Sequence, residues 1–134
     1  MKNTEAIRAI LAETEERRQE LFRIGTQHEQ TRYDGYIWNR LRTADPSVSR
    51  DLAQATDQNN RVRYIGIEGY VTVLEWIHLC LHYQNVCLAC GQAKELGMDH
   101  VIPLSDDGAH DISNIQPLCW DCHKKKGVRR TDYR

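Results

Sequence analysis

The strongest constraint on this chain is a pair of Cys-x-x-Cys turns, Cys87/Cys90 and Cys119/Cys122, with 28 residues between Cys90 and Cys119. Each turn sets two thiolates close enough to share a cation. Two such turns supply the four soft ligands of a closed tetrahedral zinc site. The alternative of two disulfides leaves the fifth cysteine, Cys80, without a partner, and the sequence has no secretory context. Between the turns lie Met98-Asp99-His100-Val101-Ile102-Pro103 and Asn114-Ile115-Gln116-Pro117-Leu118, and His123 follows directly on the last cysteine.

Asp99 and His100 are neighbours, so on a strand their side chains point to opposite faces. They meet at one ion and its water only if the strand ends or twists there. Pro103 and the turn signal Ser105-Asp106-Asp107-Gly108 end it soon after. The run from Cys119 to Lys126 has helical character. On a helix Cys122 and His123 stand about 100° apart, so one can face the zinc while the other faces a second site. The expected arrangement is a closed zinc site stapling a strand to a helix, with an open Asp/His/His site on its far side.

This stretch resembles the HNH nuclease family, the ββα-metal or His-Me finger enzymes, in its four-cysteine zinc form. The shared positions are Asp99-His100, Pro103, Gly108, Asn114 with Ile115 to Cys119, and Cys119 to Lys126. Gly108-Ala109 stands where the family often has Gly-Gly, which alters the loop and no catalytic position. The resemblance implies a metal-dependent endonuclease that hydrolyses DNA, leaving 5′-phosphate and 3′-hydroxyl. It makes His100 the general base, Asn114 the motif asparagine, and Asp99 and His123 ligands of a catalytic divalent ion. The second ring nitrogen of His100 is expected to be held by a backbone carbonyl. Asn114 either pins its loop or ligates the metal. An Asp/His set suits Mg2+, Mn2+ or Ni2+, as well as Co or Zn, beside the structural Zn2+ on Cys87, Cys90, Cys119 and Cys122. A phage or mobile-element setting goes with the same resemblance.

A net charge of −1 over 134 residues is not a nucleic-acid binder's balance. The distribution differs from the sum: His123 to Arg134 holds Lys124, Lys125, Lys126, Arg129, Arg130 and Arg134 against Asp132 alone. This basic run adjoins the proposed site, and Lys124, Lys125, Lys126, Arg129 and Arg130 are candidate DNA contacts. No apolar run approaches the ~20 residues of a membrane span. The N-terminus turns charged at once and does not read as a signal peptide. The expected location is the cytoplasm of a bacterium or phage-infected host.

The rest of the chain reads as mainly helical. Residues 4–24 carry an intermittent stripe of Ala6, Ile7, Ile10, Leu11, Leu21 and Phe22, with Asn3 as cap and Gly25 as stop. The charged middle of this helix reads as an ordinary helix surface, with a solvated arm or a surface for a protein partner as the alternatives. Tyr33, Tyr36 and Trp38 interleave with Arg32, Arg40 and Arg42, as core rings or as a base-stacking surface. Asp45-Pro46 caps a short helix to about Gln54; 56–60 reads as loop, and 61–70 is ambiguous between strand and extended loop. Thr72 and Glu75 form a capping box for a helix over 73–83 with Cys80 on its apolar face. His28, His78, His82 and His110 read as surface or packing histidines, His110 being near enough to Asn114 to touch substrate.

The fold class is therefore α+β: a helical N-terminal extension over 1–71, then an HNH unit over 72–134 stapled by a four-cysteine zinc site. A non-catalytic zinc-stapled nucleic-acid-binding module is the alternative. It accounts for the cysteines and the basic run, and leaves Asp99, His100 and His123 without a role.

Overall fold

Asn3 accepts from the Ala6 amide and caps the first helix of the computed structural model, which describes residues 3–134. Contacts divide the chain into two units, one running to Arg50 and the other from Asp51 to Arg134. In the first, α1 (Thr4–Ile24) packs on α2 (Gln27–Ala44), and Ile7, Ile10, Leu11, Leu21, Ile37 and Leu41 are buried. The charged middle of α1 is thus no isolated arm: Glu13 takes a two-pronged bond from Arg40 of α2, 2.9 Å at each prong. Phe22, expected in the apolar stripe, is exposed. The aromatic and basic segment 31–42 lies on α2, which starts at a second capping box, Thr26 with Glu29.

The expected loop at 56–60 is helix. After a single 3-10 turn (Pro46–Val48), α3 runs Ser49–Tyr64. Its polar Asp57, Gln58 and Asn60 conceal a buried face of Ala55, Asn59 and Val62, spaced four and three residues apart. Asn59 also ties α3 to the chain that follows it. Its Nδ2 donates to the Val71 carbonyl at 2.8 Å, and its Oδ1 accepts from the Val71 amide at 3.0 Å. That pair joins most of α3 to the C-terminal part of the chain, whereas the sequence suggested a boundary at 71/72.

The capping box of Thr72 and Glu75 forms in both directions, at 3.0 and 2.9 Å, and starts α4 (Val73–His82). Trp76 and Cys80 of α4 pack with Ala55, Val71, Met98 and Ile115 in one buried cluster, so Cys80 is a core residue. Met98 and Ile115 come from a two-stranded antiparallel sheet, β1 (Leu96–His100) and β2 (Ile115–Cys119). Its register sets Asp99 opposite Gln116 and His100 opposite Ile115. The helix α5 (Trp120–Lys126) follows β2 without a break, completing a β–β–α order. Between the strands the chain makes two 3-10 turns. Gly108 is needed there because an added Cβ would fall 1.7 Å from the Ile102 carbonyl oxygen. No described helix is long and apolar enough to cross a membrane.

Trp76 is fully buried in a cluster that draws on α3, α4 and both strands of the second unit. Trp76→Ala should cost about 3–5 kcal/mol, read as a lower urea midpoint at an unchanged slope. A midpoint equal to wild type would show that this ring does not organise the core.

Candidate functional site

The four cysteines converge. Sγ atoms of Cys87, Cys90, Cys119 and Cys122 lie within 4.8 Å of one another, and Cys90 and Cys119 are 3.9 Å apart. A tetrahedral ion bound at 2.3 Å has sulfur–sulfur edges of about 3.8 Å. Local backbone builds the first turn: Gly91 N–H donates to the Cys87 carbonyl, Cys87 N–H to Gln92, and Leu88 N–H to Pro117 of β2. Burial raises the Cys87 thiol, but backbone N–H groups of Cys119, Cys90 and Ala89 outweigh it and bring it down to about 6. Cys122 is pushed up to about 12, first by its hydrogen bond with Cys119 and then by burial. Holding all four as thiolates therefore needs a cation, and the cluster can hold zinc. Cys80 stands apart in the core.

On the α5 side of the sheet, Asp99 is almost completely buried. Its Oδ2 accepts from Gln116 Nε2 at 2.9 Å and pairs with Lys126 Nζ at 3.2 Å. Its Oδ1 meets His123 Nδ1 at 3.0 Å. Burial alone would raise this carboxyl, but the bonds from His123 and Gln116 and the Lys126 ammonium hold it below the usual carboxylate value. Gln116 is held in turn by the C-terminal segment, donating to the Thr131 carbonyl and accepting from the Tyr133 amide. So Oδ2 is committed within the protein, and Oδ1 with the half-exposed His123 forms the outward pair. Two ligands of an octahedral ion bound at 2.0–2.1 Å stand about 2.9–3.0 Å apart, so this pair fits one divalent ion.

His100 lies on the opposite face, as strand alternation requires. No carbonyl holds its second nitrogen. Nε2 instead meets Nδ1 of His110 at 2.9 Å, and His110 Nε2 meets Asn59 Oδ1 at 2.7 Å. Gly69 permits this approach: at φ +125° it bridges His110, and an added Cβ would sit 2.3 Å from the His110 carbonyl oxygen. Burial first, then the neighbouring His110 ring, push His100 down to about 4 against the pull of Asp99. The imidazole is thus neutral at neutral pH.

Every polar atom of the Asn114 side chain is spent on its own loop. Oδ1 accepts from Ile102 N–H, while Nδ2 donates to the carbonyls of Ile102 and Ala109 at 3.0 and 2.9 Å. Of the two expected uses of Asn114, this geometry is that of a loop pin.

The basic run divides. Lys124 and Lys125 are exposed, and Lys124 lies over the ring of Trp120, itself exposed and stacked on His123. Arg130 pairs with Asp106, and Arg129 donates to the Lys126 carbonyl. Lys126 was expected among the DNA contacts, and its placement corrects that. It is buried between Asp99 and the His100 carbonyl, to which it donates at 3.1 Å. Its spacing of three from His123 puts both on one face of α5, a signal legible in the sequence. Gln116 needed the strand register. His110 and Asn59 had no local signal.

No curated protein and no solved structure matches the chain. The HNH endonuclease family model matches residues 86–129, about a third of the sequence. That segment spans both cysteine turns, Asp99, His100, Asn114 and His123, and the chain therefore carries a domain of the HNH endonuclease family at these residues.

Proposed function

We propose that this protein is a metal-dependent DNA endonuclease. The observation that carries the reading is a neutral, half-buried His100 next in β1 to Asp99, close enough to the Asp99–His123 pair to feel both charges, while that pair itself is spaced for one cation. A binding module has no use for that combination. His100 takes the proton of the attacking water, which a neutral imidazole does and an imidazolium cannot. Asp99 and His123 would hold the divalent ion, with Lys126 and Gln116 fixing the carboxylate from behind. When bound, that ion supplies Lewis-acid relief of charge on the phosphate and the leaving 3′ oxygen. Asn114 keeps the loop between the strands closed. Exposed Lys124, Lys125, Arg129 and Arg130 meet the phosphates, and the exposed Trp120 ring offers a stacking face for a base.

The zinc role is structural in this reading, because the four thiolates leave no open position. Cys87→Ser should lose zinc by elemental analysis and lower the melting temperature of the C-terminal unit. Zinc binding in small sites is on the order of 10 kcal/mol of folding free energy. Full zinc content at an unchanged melting temperature would remove the cluster's structural role.

Plasmid nicking with added Mg2+, Mn2+ or Ni2+ tests the activity. His100→Ala should lose roughly 10²–10⁴-fold in rate while still binding DNA and metal. His123→Ala should lose activity through weaker catalytic-metal binding, with partial recovery in excess Mn2+ or Ni2+, and neither variant should release zinc. Wild-type cutting by His100→Ala would dismiss it as the base. DNA binding without cutting under any of the ions would leave a zinc-stapled nucleic-acid-binding module.

A further inference from the structure

His110 is buried to within 1 % of full enclosure, and neither it nor Asn59 touches the metal pair or the phosphate-binding run. Both belong to a chain of hydrogen bonds that ends on His100. Three facts set the direction of every bond in that chain. Asn59 is paired with both backbone groups of Val71, so its Nδ2 must donate and its Oδ1 must accept. Oδ1 also faces His110 Nε2 at 2.7 Å, and an acceptor there requires Nε2 to carry the hydrogen. Burial pushes His110 below the usual histidine value, so the ring is neutral and its Nδ1 is bare. A bare Nδ1 at 2.9 Å accepts from His100 Nε2. The His100 hydrogen is then on Nε2, and Nδ1 is its one basic nitrogen.

We infer that His110 and Asn59 are positioning residues, a tautomer-setting relay that presents His100 Nδ1 as the basic nitrogen. This rests on the endonuclease reading. With Nε2 occupied by its own hydrogen, the proton taken from water goes to Nδ1, giving an imidazolium whose Nε2–H still donates to His110. No proton travels beyond His110, because an amide oxygen at Asn59 does not take one. Without the relay the two tautomers of His100 compete, and the population with a hydrogen on Nδ1 cannot act as base. The supporting residue comes from α3, outside the segment matched by the family.

Nitrogen NMR of the full chain labelled at histidine tests this, with the His100 signals assigned by their loss in His100→Ala. Wild type should show a pyridine-type Nδ1 and a pyrrole-type Nε2 at His100. His110→Leu should show a mixture of both tautomers and lose roughly 10–100-fold in kcat with KM unchanged. His110→Asn, which returns an acceptor at the Nδ1 position, should recover part of both. A hydrogen on Nδ1 of His100 in wild type overturns the proposal, as does His110→Leu with the wild-type tautomer and rate. If His110→Leu does not fold, the wild-type spectrum alone decides. Absence of cutting by wild type would count against the endonuclease reading, while the tautomer of His100 would still be read directly.

Discussion

The second unit depends on one buried charge. Asp99 sits in β1 with almost no solvent, where an isolated carboxylate costs several kcal/mol. It is tolerated because Lys126 and Gln116 meet one oxygen and His123 meets the other. These partners come from α5 and β2, so satisfying the charge also fixes the helix on the sheet. Lys126 extends the effect by donating to the His100 carbonyl, which ties the next residue's backbone to the same ammonium. Removing one member would leave a partner buried and unpaired, the costly case for a buried ion pair. In the proposed reading, positioning a metal ligand and holding the fold would be the same interaction.

The cysteine cluster solves a different problem at the other end of the strands. It closes the turn at Cys87–Cys90 onto the start of α5, where the apolar contribution is small: Cys87, Leu118 and Cys119 are the buried residues of that cluster. A cation joining the four sulfurs would supply what so small a core does not. The open pair at Asp99 and His123 is chemically separate from it, having one oxygen, one nitrogen and an exposed side. Soft and closed against hard and open is what the proposed division into a structural site and a reaction centre rests on.

The His100 ring is hydrogen-bonded to neither group. It belongs to the opposite face of β1 and is governed by His110 and by Asn59 of α3. The helical segment before the family-matched region thus contributes to the environment of the site, and the acidic balance of the whole chain is no guide to it. What matters locally is exposed Lys124 and Lys125 on α5 beside His123.

The sequence by itself determined the local chemistry. Cysteine spacing specified the cluster, the Thr72/Glu75 pair specified the start of α4, and alternation specified that Asp99 and His100 part to opposite faces. Each is set by residues within a few positions of one another, where covalent geometry leaves little choice. Only the tertiary structure decided the rest. The 56–60 stretch looks like loop because its solvent face is polar, and its helix exists because Ala55, Asn59 and Val62 find a core. Lys126 looks like a surface lysine in a basic run, and its burial depends on a carboxylate on another element. His110 reaches His100 from ten positions away and Asn59 from 51, and no local pattern encodes such a meeting. Burial and long-range hydrogen bonding are properties of packed elements, so they become visible when the elements are packed.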